Sequence, residues 1–273
     1  MAGGLEASQL TARAPVTVTA GLRDATAVVL AGGLGTRLAG VVHDRPKVLA
    51  AVRGRPFLAH LLARLAAAGA RHVVLCTGHR HEQVSAAFGN RYAGMHLAYS
   101  AEPHPLGTGG ALRLALPHLG SDPVLVLNGD SLCDVDLGEL WAWHRRHGAR
   151  ASLVAVHVRD ATRYGRLEID RDARVVGFEE KGLASGPSWI SAGIYVLARA
   201  LVEAVPAGHR VSLEREVLPA AIEDGILAFR SRGAAFLDIG TPEAYAAAPT
   251  FVDALVRPRA VPAPRRVAGG GEA

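Results

Sequence analysis

Ala25-Thr26-Ala27-Val28-Val29-Leu30-Ala31 runs straight into Gly32-Gly33-Leu34-Gly35-Thr36-Arg37-Leu38, and this junction decides the fold. The first seven residues are apolar except for Thr26, the pattern of a strand covered on both faces. The glycines mark a strand-to-helix turn, where bare backbone lets N–H groups approach phosphate oxygens closely. The spacing is not G-x-G-x-x-G, because Arg37-Leu38-Ala39 follow, and no G-K-[ST] closes the loop. A Rossmann oxidoreductase turn and a Walker A loop both fail on that ground. An arginine inside the loop, Arg37, suits a polyphosphate that is charged up further during attack.

Outward from this junction the chain alternates strand and helix. Pro56 to Ala68 reads as a helix, with Phe57, Leu58, Leu61, Leu62 and Leu65 at helical spacing and Gly69 as its stop. Buried strands are expected at His72 to Thr77, Leu97 to Ser100 and Pro123 to Leu127. Helices are expected near His81 to Phe88, from Gly107 to Leu116, and ending near Trp141 to Gly148. This is the pattern of an α/β, doubly wound, mainly parallel sheet flanked by helices. After Ala149 the texture changes. Ala151 to Val158 and Gly165 to Asp170 alternate more, Val175 to Glu180 is extended, and Trp189 to Leu197 is a strand. Ser212 caps a helix to Glu223, strands follow at Ile226 to Arg230 and Ala234 to Leu237, and Thr241 and Pro242 open a last helix to Ala248. This half reads as a small α+β lobe continuing the same sheet. The expected organisation is a loose leader over 1–23, one domain over 24–256 divided near 150, and a disordered Pro/Arg/Gly/Ala tail over 257–273.

The composition, 273 residues of which 49% are hydrophobic, supports a full core. No apolar run reaches ~18 residues, so no membrane partner is expected. Cys76 and Cys133 do not make a disulfide framework, and a reducing cytoplasm fits. The net charge of +5 comes from scattered arginines, and with aromatics at 5% there is no stacking platform for nucleic acid. Small anionic substrates account for the charge. The histidine pairs His79/His81 and His144/His147 lack partners at zinc-site spacing and read as surface residues. Of the 30 basic residues only two are lysine, Lys47 and Lys181. A lysine kept in an arginine background marks places where a compact point charge is needed.

From about Ala25 to Ala248 the chain resembles the sugar-1-phosphate nucleotidyltransferases. G-G-x-G-T-R-L followed by Pro46-Lys47 matches their signature, and further segments occur in the family's order. These are Leu106-Gly107-Thr108-Gly109-Gly110-Ala111-Leu112, Leu127-Asn128-Gly129-Asp130, Tyr164-Gly165, Glu179-Glu180-Lys181 and Asp238-Ile239-Gly240-Thr241-Pro242. The resemblance implies the nucleotide-diphospho-sugar transferase fold, with a sugar-binding second half. It implies attack of a sugar 1-phosphate on the α-phosphorus of a nucleoside triphosphate, with positioning and charge stabilisation dominant. Arg37, Lys47 and Lys181 would be the catalytic cations. Leu30, Ala31, Gly32, Gly33, Gly35, Thr36, Glu102, Gly107, Thr108 and Asn128 would meet the nucleotide. Tyr164, Gly165, Glu180 and Ser191 would meet the sugar, and Asp130 and Asp238 would hold Mg²⁺.

Two positions bear on substrate choice. Glu102 precedes Pro103 where uridylyl- and thymidylyltransferases of the family commonly carry Gln. A carboxylate only accepts hydrogen bonds, which suits the donors of guanine and points to GTP. Ser191 stands where Asn is usual. Among subgroups the resemblance is nearest to D-glycero-D-manno-heptose 1-phosphate guanylyltransferases, with mannose-1-phosphate guanylyltransferases, uridylyl- or thymidylyltransferases, and an inactive regulatory paralogue as alternatives. A homodimer is an assembly to be considered.

Overall fold

The structure is a computed structural model that describes residues 21–33, 35–38, 40–179 and 186–256, with only the backbone of Thr36 and Val256. The expected leader up to residue 20, the expected tail, and the candidates Glu180 and Lys181 lie outside the described residues.

The strands in chain order are β1 (Thr26–Leu30), β2 (Ala51–Val52), β3 (Arg55–Pro56), β4 (His72–Thr77), β5 (Arg91–Tyr92), β6 (Met95–Ala101) and β7 (Val124–Asn128). Then come β8 (Ser131–Cys133), β9 (Ala151–Val158), β10 (Arg166–Ile169), β11 (Val175–Glu179), β12 (Ser188–Leu197), β13 (Ile226–Ser231) and β14 (Phe236–Asp238). The helices are α1 (Phe57–Ala67), α2 (His81–Phe88), α3 (Gly107–Leu114), α4 (Leu137–His147), α5 (Arg199–Glu203), α6 (Leu218–Ala220) and α7 (Pro242–Val256).

Among the described residues ten strands form one mixed sheet. Four neighbouring parallel strands, β6-β4-β1-β7, reverse in order between β1 and β7, and β9 pairs in parallel with β13 further along. Crevices for ligands open at the carboxyl ends of strands on either side of such a reversal. Side chains of β1 alternate between the two faces: Ala27 and Val29 join a core with α1, α4 and α7, whereas Val28 joins a second core with α3, α5 and α6. Both faces of the strand are therefore dry, as its apolar run requires.

The second half extends the same sheet through β12, whose ten residues serve two neighbours on one edge. Ile194 to Leu197 pair with β7, while Ile190 pairs with Arg166 of β10. Between them β7 has ended and β10 has not begun, and the register against β9 breaks between Ser191 and Tyr195. The site described below opens at this gap.

Several expectations change in detail. Ala151 to Val158 is not a half-exposed alternating strand: six of its residues are buried, because β9 lies between β12 and β13. The last short strand, β14, leaves the main sheet and pairs with β8. The helix expected over Ser212 to Glu223 is a π-turn (Leu213–Val217) followed by one turn of α6, ended after Pro219. Ser212 does cap it, accepting the Arg215 N–H at 3.2 Å, and Thr241 caps α7 through the Ala244 N–H at 3.4 Å. Cys76 and Cys133 are buried and form no disulfide. No helix among the described residues is long and apolar enough to cross a membrane.

His144 is the clearest departure. His79, His81 and His147 are exposed as expected, but His144 is buried on the inner face of α4 with Nδ1 2.8 Å from Ser152 Oγ. Burial lowers its pKa to about 4. The unfolded chain therefore takes up a proton near pH 6.5 that the folded chain refuses until about pH 4. Stability should fall across that window as the pH drops, by up to about 3 kcal/mol. Urea unfolding from pH 7 to pH 4.5 should show this loss, and His144→Gln should flatten it. Equal slopes for the two proteins would contradict the assignment.

Candidate active site

Leu30 ends β1 between two neighbours: its carbonyl accepts the Gly129 N–H at 2.9 Å, and Ala31 N–H bonds the Cys76 carbonyl at 2.7 Å. Gly32 follows, in close approach to Gly78 just after β4. A Cβ on Gly32 would lie 2.2 Å from Glu102 Oε1 and 3.4 Å from the Gly78 nitrogen, so glycine lets that carboxylate reach the loop. Glu102 Oε2 accepts the Leu106 N–H at 2.6 Å. One oxygen therefore shapes the loop that leads into α3, while Oε1 faces the loop after β1. Burial raises the pKa of Glu102, opposed by the Leu106 N–H and by His104.

Lys47 follows Pro46, and the buried Val48 and Leu49 pin the short 3-10 turn that carries it. Its ammonium donates to Asp130 Oδ2. Its side chain is 10% exposed against 32% for Asp130, so the pair lies at the floor of a cleft. Asp238 comes alongside through the β8–β14 pairing and the 3.0 Å bond from Ile239 N–H to the Asp130 carbonyl. Burial and the Asp130 carboxylate raise the pKa of Asp238, with Lys47, the Gly240 N–H and Arg37 opposing. Two hard oxygen donors that repel each other suit a divalent cation, and Mg²⁺ would draw its remaining ligands from phosphates and water. Among the described residues no group of three or more His, Cys, Asp or Glu is placed to hold a metal alone.

Two cavities meet here. One, of about 410 Å³, is lined by Leu30, Ala31, Gly32, Gly33 and Gly35 with Arg37, Lys47, Glu102, Gly107 and Thr108. The other, of about 530 Å³, is lined by Tyr164, Gly165, Ser191 and Asp238 among others. Asn128 and Asp130 line both. Asn128 Oδ1 is buried with no hydrogen-bond partner among the described residues, an acceptor left for a ligand at the junction. Every described side chain proposed from the sequence thus borders one of the two spaces. Thr36 contributes a described backbone only, in the 3-10 turn Thr36–Leu38.

Ser191 is more occupied than a free sugar ligand. Its hydroxyl donates to the Tyr195 hydroxyl and accepts the Gly193 N–H, both at 3.2 Å. Sequence reading missed Tyr195, Glu214 and Arg210. The first two line the larger cavity and Arg210 the smaller. Tyr195 reads as strand core and Glu214 as an ordinary helix residue, so nothing local marked either. Arg210 was one more arginine among many.

The chain belongs to the nucleotidyl transferase family, whose model matches residues 26–254. It is 41% identical over 220 residues to a mannose-1-phosphate guanylyltransferase of Mycobacterium tuberculosis, covering 80% of this chain but only 61% of that protein. It is 37% identical over 220 residues to a D-glycero-alpha-D-manno-heptose 1-phosphate guanylyltransferase of Aneurinibacillus thermoaerophilus, covering 80% of this chain and 94% of that one. Among solved structures, HddC from Yersinia pseudotuberculosis in complex with GMP-PN superposes with a TM-score of 0.73 at 32% identity. That match covers 83% of this chain and 99% of HddC.

Proposed function

We propose that the protein is a sugar-1-phosphate guanylyltransferase that joins GTP and D-glycero-D-manno-heptose 1-phosphate, giving the GDP-sugar and pyrophosphate. The observation that carries this reading is the meeting of the two cavities at Asn128 and Asp130, with Lys47 at their floor. The nucleotide occupies the glycine-lined cleft and the sugar phosphate the larger cavity. A phosphate oxygen of the sugar substrate attacks the α-phosphorus, and the bond to the bridging oxygen of the β-phosphate breaks. That oxygen leaves with the electron pair as pyrophosphate. Lys47 stabilises charge at the α-phosphate, Arg37 holds the β- and γ-phosphates, and Lys181 aligns the sugar phosphate. Mg²⁺ held by Asp130 and Asp238 would neutralise charge on the phosphate oxygens.

Guanine is favoured by Glu102, whose Oε1 remains to accept from the base while Oε2 keeps the loop in place. The heptose 1-phosphate relatives, at 37% and 31% identity, support heptose, and the 41% identity to the mycobacterial protein supports mannose 1-phosphate as the second reading. A matrix of nucleoside triphosphates against sugar 1-phosphates, read by pyrophosphate release and product mass, tests both. GTP should be used far better than UTP or dTTP, and Glu102→Gln should narrow the gap. Equal use of UTP by the wild type would refute the guanylyl assignment. Turnover of mannose 1-phosphate alone would move the sugar to the second reading.

A further inference from the structure

The segment Arg210–Glu214 runs along the underside of the glycine loop at the start of α3. The Val211 carbonyl accepts the Gly109 and Gly110 N–H groups at 2.9 and 3.2 Å, and Val211 N–H returns a bond to the Leu106 carbonyl at 2.8 Å. Thr108 Oγ1 accepts the Leu213 N–H at 2.8 Å and donates to Glu214 Oε2 at 2.7 Å. The other oxygen, Oε1, accepts from the Tyr195 hydroxyl at 3.3 Å. Tyr195 accepts in turn from Ser191, and Ser191 from the Gly193 N–H in the irregular stretch of β12. A continuous chain of hydrogen bonds thus runs from the nucleotide loop to the wall of the larger cavity.

Both ends of this chain reach a ligand space. Thr108 lines the nucleotide cleft, and Ser191, Tyr195 and Glu214 line the other cavity. Glu214 is carried by a π-turn, a rare geometry concentrated at functional sites. Tyr195 is fully buried, so its hydroxyl depends on these partners, and bonds to an ionised carboxylate are stronger than neutral ones.

We propose that Glu214 is a positioning residue that couples the two substrate cavities, its carboxylate fixing Thr108 on the nucleotide side and Tyr195 on the sugar side in one arrangement. The inference rests on the assignment of the two cavities to nucleotide and sugar phosphate. Ordering of the loop by one substrate then lowers the cost of ordering the other side.

The test uses Thr108→Val, Tyr195→Phe, the double variant and Glu214→Gln in the full chain, each checked by thermal melting. Each single variant should raise KM for both substrates, including the one it does not border, and the distant effect should be on the order of tenfold. The double variant should lose no more than the worse single one, the mark of residues acting through a shared partner. Independent effects, each confined to its own substrate and multiplying in the double variant, would overturn the proposal. Calorimetric titration of GTP with Mg²⁺, without sugar phosphate, separates this from the proposed function. Tyr195→Phe should weaken GTP binding although it lies outside the nucleotide cleft, and unchanged binding counts against the coupling. A wild type that binds GTP but turns over no sugar phosphate would defeat the proposed function, leaving the calorimetric result to decide the coupling.

Discussion

Lys47→Ala should lower kcat by at least ~10²-fold, the usual loss when one group that stabilises developing charge is removed. The ammonium is held on a short turn fixed by Pro46 and by the buried Val48 and Leu49, so its position is set before any substrate arrives. It donates to Asp130 at the point where the two cavities join. Its side chain is 10% exposed, and a charge so poorly solvated acts on a phosphate more strongly than one in water. Removing it also takes away a positive charge that opposes the repulsion of Asp238 by Asp130, which raises the Asp238 pKa further. Lys47→Arg should be almost as damaging, because the planar fork is wider and spreads its charge over three nitrogens. Asp130→Ala should fall as far. Initial rates of pyrophosphate release, with circular dichroism to show an intact fold, measure all three. Near-wild-type turnover by any of them would remove that residue from the reaction.

Gly107→Ala should be the most damaging change of a residue without a side chain. Its φ is +72°, and a Cβ would lie 2.5 Å from the Val211 carbonyl oxygen and 3.1 Å from its carbon. Neither obstacle can move alone, since Val211 is bonded to Leu106, Gly109 and Gly110 by its own backbone. Left-handed strain costs ~1–2 kcal/mol for a residue with a Cβ, and the clash adds to it. Melting should drop by roughly 5 °C or more, and KM for GTP should rise by about tenfold. Gly208→Ala is the control: φ is +75°, but nothing lies within 4 Å of the added atom. That variant should carry the strain without the loss of GTP binding. If the two behave alike, packing against Val211 is not what the glycine serves. The structure thereby sharpens the reading of the glycine-rich loop, since Gly107 and Gly110 are required at least as much by the segment 209–211 beneath them as by any ligand above.

The fold was legible where its causes are local. The apolar run of β1 reports burial on both faces, and the glycines after it report a turn, at which Gly32 leaves room for the Glu102 carboxylate. Ser212 and Thr241 were readable as caps because a cap needs only a side-chain oxygen and an N–H three residues on. What failed was set at long range. Val-rich β9 has the composition of either an edge or an interior strand, and only the arrival of β13 decides which. His144 has the sequence context of a solvated helix end, and its burial depends on Ser152 of β9 lying against α4.

The sequence by itself determined residue types that border the cleft: a glycine turn, the rare Lys47, and the aspartates Asp130 and Asp238. A glycine turn and a lysine among arginines stand out in a single chain. Only the tertiary structure brought Lys47 to Asp130, 83 residues away, and Thr108 to Glu214, 106 residues away. It also opened the space between the end of β7 and the start of β10, where β12 changes neighbours. Such pairings depend on how strands stack into one sheet, a balance of many weak contacts summed over the whole chain that no short segment encodes.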